Sequence, residues 1–445
     1  MNLEQFLTIL LSNLSDQKIP YCILRNYKGL PQYNPGNDID FLIRFCDKES
    51  VIKTLQGIGN ILLTGYAERP YVVSTFVYGV EWGENKFSIQ VDFFLSLSWK
   101  GLPYLYTEDV LLTARSAANS SHLIIIPKPS HEAIISFYSS YLVGGWIKQK
   151  YWELTRDVFL NNKNEVISSL TPLMNKRIVN ILIDSVIEKD TTKIISLLRK
   201  LRKSLFINSL SKSPIFTINA IISHYYFEIL FRFTPINIIS ACILGPDGAG
   251  KSEITKLLEK RLQNTVKQVA VRHLKPQLFK NTKSNGPVTD PHGKIARSAI
   301  ISIAKIIFWF FELWVDRFFH GYKNLTLQIW DRYYHDILVD SKRYRYGGPV
   351  WVARLIGKLV PKPDLWILLD APPEVLKARK KEVPYKETAR QRDAYLRLIS
   401  EMPSYAIVDA SKPVDNVIVE TERTILNFMA KRTAQRLNIK FDRLK

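Results

Sequence analysis

Cysteine is scarce in this chain of 445 residues, which has only Cys22, Cys46 and Cys242. They are scattered and form no CxxC pair, so the pattern excludes a zinc ribbon and a disulfide-stapled scaffold. A chain of this length buries sizeable cores without such cross-links. Its first residues also lack the basic start of a secretory signal peptide. We therefore expect a cytoplasmic protein in a reducing compartment.

Acidic residues are also few relative to basic ones. The chain has 41 aspartates and glutamates and 62 lysines and arginines, so its net charge is +21. This balance favours anionic partners, namely nucleic acid, anionic lipid headgroups or phosphorylated small molecules, although dispersed charge is also typical of a solvated surface. The chain has no zinc-finger spacing and no RRM-type aromatic motif, so nucleic acid is the least favoured partner. A small-molecule acceptor and association with an anionic membrane surface are the expectations that stay open.

No apolar run is long and clean enough to predict a membrane span. Residues 299–319 include four charged side chains, and each such charge costs about 2.5–3.5 kcal/mol at the centre of a span. Residues 214–230 are interrupted by His224 and Glu228 and are shorter than the ~20 apolar residues that a span needs. Both segments are expected to be core or domain-interface helices, with docking on a membrane surface as the alternative.

Three ranges of the chain differ in their patterns. Residues 1–120 alternate short apolar runs with turn residues, which predicts an α+β domain. Residues 121–235 show helical periodicity and are expected to form a helical connector. In residues 236–445 strands, loops and helices alternate, which is typical of an α/β domain with a parallel sheet.

The clearest motif follows an apolar run, Ile238 to Leu244, that predicts a buried parallel strand. The next eight residues match GxxxxGK[ST] and precede a helix, the context that a P-loop requires. Glycines let backbone N–H groups surround phosphates, and the helix N-terminus favours negative charge. Lys251 is expected to reach the β- and γ-phosphates of a nucleotide, and the Ser252 hydroxyl to bind Mg²⁺. The predicted phosphate-binding residues are Gly245, Pro246, Asp247, Gly248, Ala249, Gly250, Lys251 and Ser252.

A second polar pair, Asp331-Arg332, follows the predicted strand Leu325 to Trp330. Ligands bind at the carboxyl ends of strands in open α/β sheets, so this pair is expected beside the P-loop. Asp331 is a candidate for holding Mg²⁺ through water or for accepting a proton, and Arg332 for binding a phosphate or carboxylate. A basic segment further along is suited to close over a triphosphate. Its residues are Lys377, Arg379, Lys380 and Lys381.

The four segments GPDGAGKS, DRYYHD, PDLWILLDAPPEVLKARK and AIVDASKPVDNV together resemble the thymidylate kinase branch of P-loop nucleoside monophosphate kinases. The resemblance covers about residues 238–430, and it implies transfer of the γ-phosphoryl group of ATP, with Mg²⁺, to a small acceptor. It also implies catalytic roles for Lys251, Asp331, Arg332 and Arg379, the last in a lid. The positions that match the family's acceptor-binding residues are Asp247, Arg272 and Arg332.

Two segments depart from the thymidylate kinase pattern. After the DR pair the family has a serine-rich segment with a Tyr-Gln that reads the thymine, and this chain has YYHDILVDSKRYRYGGP instead. The earlier TREPGG-type segment is also missing, and residues 289–294 are the nearest stretch. We therefore expect an acceptor other than dTMP, of nucleoside monophosphate, sugar or polyol type, with dTMP kinase proper as the alternative. The oligomeric state is open, a homodimer included.

Carboxylates recur in the predicted strands of the first range. Asp38 and Asp40 are two residues apart and so share one strand face, and Asp92 lies on a later strand. Three convergent carboxylates on adjacent strands can bind two Mg²⁺ ions for nucleotidyl transfer. This part of the chain resembles the nucleotidyltransferase superfamily, with Arg25-Asn26 where that superfamily has Gly-Ser. Active transfer, a non-catalytic sugar- or nucleotide-binding role and plain surface carboxylates are the three alternatives.

The predicted protein is therefore an ATP-dependent kinase fused to a nucleotidyltransferase-like domain. By resemblance alone, such a fusion suggests nucleotide-sugar or surface-polysaccharide metabolism. One alternative is a nucleic-acid end-processing kinase and nucleotidyltransferase, which the positive charge favours but for which no lysine-adenylation motif is present. Another is a regulatory protein that binds nucleotide without turnover, against which Lys251, Ser252 and Asp331 argue.

Overall fold

The computed structural model describes residues 1–34, 36, 38–79, 87–117, 123–146, 148–233, 238–274, 296–319, 325–379 and 384–439. The chain divides into two compact units, Met1–Leu230 and Phe231–Lys445. The division lies close to residue 236, where the C-terminal domain is predicted to begin. Each unit is described by itself below.

The first unit contains a five-stranded mixed sheet followed by a group of helices. In chain order the elements up to Phe233 are α1 (Leu3–Asp16), β1 (Tyr21–Ile23), β2 (Asp38–Ile43), α2 (Lys48–Gln56), β3 (Ile61–Arg69), β4 (Val72–Gly79), β5 (Ser88–Phe94), β6 (Leu97–Trp99), β7 (Leu102–Leu105), α3 (Thr107–Leu112), β8 (Arg115–Ser116), β9 (Ile125–Ile126), α4 (Pro129–Gly144), α5 (Trp152–Asn161), α6 (Lys163–Leu170), α7 (Lys176–Ile187), α8 (Thr191–Lys212) and α9 (Pro214–Phe233). The strand order in the sheet is β1-β2-β5-β4-β3. β2 and β5 are parallel and their neighbours are antiparallel, so the sheet is of the α+β type that the sequence predicts.

One hydrophobic cluster joins the two ranges that the sequence assigns to separate domains. Cys22 and Leu42, on β1 and β2, belong to the same cluster of buried side chains as Phe137 and Tyr141 of α4 and Leu201 of α8. Apolar burial of this kind is the main favourable contribution to folding. Residues 1–120 and 121–230 thus share a core, and a domain boundary near residue 120 stays a prediction.

The second unit is built on a five-stranded sheet in which all strands are parallel. Its elements are β10 (Ile238–Leu244), α10 (Lys251–Arg261), β11 (Gln268–His273), α11 (Ala299–Phe319), β12 (Thr326–Asp331), α12 (Asp336–Val339), α13 (Val350–Leu359), β13 (Leu365–Asp370), α14 (Pro373–Arg379), α15 (Tyr385–Ser400), β14 (Tyr405–Asp409) and α16 (Val414–Leu437). The strand order is β11-β12-β10-β13-β14. Every residue of the central strand β10 is buried, as expected for a sheet covered on both faces. The predicted fold class, an α/β domain with a parallel sheet after an α+β region, is confirmed.

The two apolar segments singled out in the sequence form helices α9 and α11. No helix in the described ranges is long and apolar enough to cross a membrane. The expectation of burial holds for only part of α11. Ile306, Trp309 and Leu313 are buried in the core, whereas Ile307 and Phe311 are exposed.

Candidate active site

The P-loop joins β10 to α10 at the carboxyl end of the parallel sheet. Gly245 and Gly248 have φ values of 151° and 91°. A Cβ at either position would lie 2.6 Å from a carbonyl oxygen, that of Leu369 or of Leu376. Any larger residue would therefore push the loop away from β13 or α14. Helix α10 begins directly after the loop, so its first N–H groups are available to a bound anion.

Lys251 is buried in the first turn of α10. Its ammonium group donates to the carbonyl oxygens of Gly245 at 2.5 Å and of Pro246 at 2.7 Å. Burial, reinforced by the positive charge of Arg332, lowers the pKa of Lys251 to about 7. A nucleotide phosphate would supply the negative charge that favours the ammonium form, so this lysine is suited to bind one.

Ser252 and Asp331 meet where α10 faces the end of β12. The Ser252 hydroxyl donates to Asp331 Oδ2 at 2.8 Å, and His273 Nδ1 lies 3.4 Å from the same oxygen. Burial tends to raise the pKa of Asp331, but these two hydrogen bonds and Lys251 bring it below its ordinary value. Asp331 Oδ1 is buried without a hydrogen-bond partner among the described residues. A hydroxyl beside an ionised carboxylate with an unpartnered oxygen is a donor set that Mg²⁺ accepts, so these residues fit the predicted ion.

Asp247 of the P-loop is held between two arginines. Arg332 donates to Oδ1 at 2.7 Å, and Arg343 donates to Oδ2. Burial alone would raise the pKa of Asp247, but the charges of Lys251, Arg332 and Arg343 outweigh it and hold the pKa well below its ordinary value. The carboxylate is therefore ionised, and both of its oxygens already have cationic donors.

Asp336 supports the other side of Arg332. Its Oδ2 accepts from Arg332 at 3.0 Å and from the Tyr344 hydroxyl at 2.9 Å, and its Oδ1 accepts from the Tyr395 hydroxyl at 2.5 Å. Arg332 has a φ of 72°, and its N–H donates to the carbonyl oxygen of Ile243 at 3.2 Å. A left-handed backbone costs a residue other than glycine roughly 1–2 kcal/mol. These contacts offset that cost and fix the guanidinium in place.

Most of these groups line a cavity of about 760 Å³ in the C-terminal unit. Pockets of 300–1,000 Å³ are usual for small ligands, so this one has room for a nucleotide and a small acceptor. Arg343, Lys412 and His273, which the sequence did not single out, add positive or titratable groups to it. The predicted site residues that line the cavity are Asp247, Gly248, Ala249, Gly250, Lys251, Ser252, Asp331, Arg332 and Arg379.

Arg272, an expected acceptor-binding residue, does not line this cavity. Its Nη2 lies 3.7 Å from Asp316 Oδ1, and its Nε is buried without a hydrogen-bond partner in the described part of the chain. The structure thus places Arg272 against α11 instead of beside Asp247. Its acceptor role stays a prediction.

Arg379, the expected lid residue, lies on the rim of the cavity at the end of α14. Its guanidinium donates to the carbonyl oxygens of Ala410 at 2.7 Å and of Ser411 at 3.3 Å. These contacts join α14 to the loop after β14. Lys380 and Lys381, the rest of the predicted basic run, lie outside the described residues, as do residues 289–294.

Among the cavity residues that sequence reasoning missed, Arg343 is the one that contacts Asp247. It lies 96 residues from Asp247 along the chain, in the segment YYHDILVDSKRYRYGGP. The signal that could have pointed to it is the group of basic residues in that segment, Lys342, Arg343 and Arg345. A guanidinium is suited to bind an anionic group, and Arg343 adds one to the cavity.

The N-terminal carboxylates do come together. Asp40 is the register partner of Asp92 in the parallel pair β2–β5, and one oxygen from each of Asp38, Asp40 and Asp92 lies within 4.8 Å of the others. However, Arg25 donates to Asp40 Oδ2, and Gln90 Nε2 donates to both oxygens of Asp92 at 2.8 Å. Burial raises the pKa of Asp40 and of Asp92. A two-metal site needs these oxygens for ions, so the residues fit it poorly, and metal binding here stays a prediction.

A comparison of the chain with protein-family models finds no match. Individual proteins do match. The probable thymidylate kinase of Pyrobaculum aerophilum is 30% identical over 203 residues, which are 41% of this chain and 94% of that protein. Probable thymidylate kinase 1 of Saccharolobus solfataricus is 27% identical over 200 residues, 41% of this chain and 94% of that protein. The probable thymidylate kinase of Sulfolobus acidocaldarius is 25% identical over 197 residues, 42% of this chain and 95% of that protein.

Each of these relatives is matched over almost its whole length, so the similarity extends far beyond the phosphate-binding loop. A full kinase domain of this kind agrees with the parallel sheet and with the cavity at its carboxyl end. Through this part of its length the chain belongs to the thymidylate kinase family.

Proposed function

We propose that the C-terminal unit transfers the γ-phosphoryl group of ATP to a small acceptor that binds on the Arg332 side of the cavity. The observation that carries the proposal is a single cavity in which Lys251, Ser252 and Asp331 lie beside Arg332 and Arg343. Phosphoryl transfer needs a phosphate cradle, a metal site and cations at the transferring group, and little covalent chemistry from the protein. Kinship with thymidylate kinases supports a phosphotransferase.

The donor side consists of the P-loop and the end of β12. Lys251 would exchange its two carbonyl contacts for the β- and γ-phosphates of ATP and would stabilise the charge that develops on them. Ser252 and Asp331 would hold Mg²⁺, which neutralises charge on the phosphate oxygens when it is bound. Arg379 on the rim would bind the nucleotide from the opposite side.

The acceptor side consists of the two arginines on Asp247. A guanidinium has five N–H donors, and the described side-chain contacts use two on Arg332 and one on Arg343. The remaining donors suit an anionic group on the acceptor better than a neutral polyol. Asp247, whose oxygens both accept from arginine, would hold this pair in place and would not take up the acceptor's proton.

Replacing Lys251 tests the proposal. In Lys251→Ala the charge that follows the transferring phosphoryl group is lost, so ADP formation should fall about 10²-fold or more. ADP release is measured with ATP–Mg²⁺ and a panel of nucleoside monophosphates, sugars, sugar phosphates and polyols. Lys256→Ala removes an exposed charge from the same helix and should keep wild-type turnover. Equal turnover by Lys251→Ala and the wild type would contradict the assignment.

Phosphorylation of dTMP itself is the second candidate, favoured by the 30% identity to a probable thymidylate kinase. Against it, the segment after Arg332 lacks the Tyr-Gln of that family and brings Arg343 to the cavity. We expect dTMP to be a poor acceptor, because a site shaped for another ligand leaves buried polar groups unpaired, and such discrimination reaches ~10⁴-fold. Saturation kinetics with the full chain give the kcat/KM for dTMP and for every other acceptor in the panel. A kcat/KM for dTMP above that of every other acceptor in the panel would establish a dTMP kinase.

The N-terminal carboxylates favour a binding role over nucleotidyl transfer. Arg25 on Asp40 and Gln90 on Asp92 occupy oxygens that catalytic ions would need. We therefore derive no reaction step through metal ions in this unit. A link to sugar or surface-polysaccharide substrates remains an expectation from resemblance alone.

A further inference from the structure

A group of cations lies next to the acceptor side of the cavity, where the start of α11 meets the segment that follows α12. The backbone N–H of Arg297 donates to the carbonyl oxygen of Arg345 at 3.1 Å. The ammonium group of Lys305, in the second turn of α11, donates to the carbonyl oxygen of Tyr344 at 3.3 Å. These contacts bring three basic residues together, and we call them the Lys305 cluster: Arg297, Lys305 and Arg345.

The charge of this cluster is poorly compensated. No carboxylate among the described residues forms an ion pair with Lys305 or Arg297. Lys305 is partly buried, and its ammonium group lies 4.5 Å from the centre of the Trp309 ring. Burial and the positive charges of Arg297 and Arg345 lower the pKa of Lys305 to about 8. The three cations therefore repel one another, and a bound anion would offset that repulsion.

The cluster adjoins residues that bound the cavity itself. Arg343 and Tyr344 line the cavity, and Lys305 donates to the carbonyl oxygen of Tyr344. The ring of Trp309 packs edge-on against the ring of Tyr344, with centroids 5.7 Å apart. Arg345 follows in the same segment, which departs from the thymidylate kinase pattern. An acceptor bound at Arg343 would therefore have a second group of cations next to the wall of its own site.

We propose that the Lys305 cluster binds a second anionic group of the phosphoryl acceptor, either a phosphate or a carboxylate. The acceptor is then a small molecule with two anionic groups, of the class of sugar bisphosphates and phosphorylated sugar acids. This inference rests on the proposed function, in which Arg332 and Arg343 bind the first anionic group. The second group takes no part in the transfer of the phosphoryl group and only holds the acceptor in position.

A neutral nucleobase fits the cluster less well. It would cover cations without supplying a counter-charge, and a charge that is removed from water without a partner costs free energy. Ammonium and guanidinium groups form charge-assisted hydrogen bonds with phosphate and carboxylate oxygens, which are stronger than hydrogen bonds between neutral groups. Charge complementarity thus favours an anionic group over a base at this position.

The test uses three pairs of compounds that differ in one anionic group. They are glycerol 3-phosphate and 3-phosphoglycerate, glucose 6-phosphate and 6-phosphogluconate, and fructose 6-phosphate and fructose 1,6-bisphosphate. The first two pairs add a carboxylate and the third adds a phosphate, so the pairs distinguish the two chemistries. In calorimetric titrations of the full chain without ATP, the compound with two anionic groups should bind about tenfold or more tightly than its partner in at least one pair. Affinities that do not differ within any pair, the absence of binding to both members included, would overturn the inference.

Variants of the cluster show whether the preference arises there. Lys305→Gln should weaken binding of the preferred compound about tenfold or more and change binding of its one-anion partner less than about twofold. Arg297→Gln, at an exposed position, should also reduce the preference, whereas Lys305→Arg keeps the charge and should retain most of it. Lys260→Gln removes an exposed charge from α10 and should bind like the wild type. Circular dichroism and thermal unfolding establish that each variant is folded. An equal loss for both members of the pair, or a preference that Lys305→Gln and Arg297→Gln leave unchanged, would overturn the inference.

A kinetic measurement separates failure of this inference from failure of the proposed function. Calorimetry without ATP needs no turnover, so an inactive kinase would not hide the second anion site. ADP formation with the preferred compound would support both. Binding through Lys305 without ADP formation would overturn the inference, because the ligand would not be an acceptor. Equal turnover by Lys251→Ala and the wild type would instead contradict the proposed function.

Discussion

Asp247 sets the position of two cations with one carboxylate. Arg332 and Arg343 each occupy one of its oxygens, and the three side chains are at most about a quarter exposed. Removing one partner of a buried ion pair costs about 3–5 kcal/mol, because the other charge is left uncompensated. Conservative replacements of the arginines are therefore better probes of function than truncations.

Arg343→Lys is expected to act on the acceptor and not on ATP. The lysine keeps the charge but loses the planar guanidinium, so the acceptor KM should rise about tenfold or more while the ATP KM changes less than about twofold. Steady-state kinetics with the best acceptor of the panel provide both constants. Lys342→Gln, at the exposed neighbouring position, should leave them unchanged. A rise confined to the ATP KM would move Arg343 to the donor side.

The residues of the P-loop could be predicted from the sequence, whereas the contact of Arg343 with Asp247 could not. Lys251 and Ser252 act within a few residues of the glycines that define the motif, so local pattern is enough to find them. Arg343 reaches Asp247 only because the sheet brings two distant loops to one edge. The basic residues of its segment suggest an anion, but their local pattern does not indicate that Arg343 contacts Asp247.

At the scale of elements, helix α12 follows a buried histidine. The ring of His335 stacks on Tyr333 and meets Trp366 edge-on, with ring centroids 6.1 Å and 5.1 Å apart. Burial lowers the pKa of His335 to about 4, against 6.5 for an unperturbed histidine. The unfolded chain therefore binds more protons between pH 6.5 and 4, and stability falls as the pH falls through that window.

His335→Gln should flatten this pH dependence. Between pH 7 and pH 4.5 the free energy of unfolding of the wild type should fall by about 2–3 kcal/mol more than that of the variant, because glutamine takes up no proton. Urea unfolding followed by circular dichroism at several pH values measures the difference. Other buried histidines, such as His131, are present in both proteins, so their contributions to the pH dependence cancel in the difference. If the free energy of unfolding changed with pH in the same way in both proteins, His335 would be accessible to protons in the folded state.

Strands were easier to predict than the surroundings of helices. The apolar run Ile238–Leu244 is a strand with those bounds, because glycine follows it and both faces of the sheet are covered. The strand predicted at 325–330 lies at Thr326–Asp331, so Asp331 ends the strand instead of following it. For α11 the sequence is apolar at most of its 21 positions, with four charged residues, and such a pattern does not indicate which apolar positions a neighbour covers. The exposed row of α11 therefore appears only in the structure.

At the scale of the whole molecule, the two units carry separate clusters of functional side chains. Every residue that lines the cavity belongs to the unit Phe231–Lys445, and the carboxylates Asp38, Asp40 and Asp92 belong to the unit Met1–Leu230. The relatives match 41–42% of the chain, so a role for the N-terminal unit has to be argued from its own residues.

Asp38→Asn with Asp92→Asn should leave the affinity for ATP–Mg²⁺ within about twofold of the wild type. The two substitutions remove charge from the N-terminal unit, and neither residue is among those that line the cavity. Titration of a fluorescent ATP analogue measures the affinity, and Asp331→Asn, which weakens the predicted ion site, is the positive control. A loss of ATP affinity in the N-terminal variant as large as that of Asp331→Asn would show that the two clusters are coupled.

Asp331 and Arg332 are consecutive residues whose side chains point to different partners. The φ of 72° at Arg332 turns the chain so that the carboxylate meets Ser252 while the guanidinium meets Asp247. Consecutive Cα atoms are about 3.8 Å apart, whatever the rest of the molecule does. Loops around the cavity can therefore open and close without altering the distance between the α-carbons of the residue proposed to hold the donor's ion and the residue proposed to hold the acceptor. In the proposed reaction, the peptide bond between Asp331 and Arg332 would therefore help to align the two substrates.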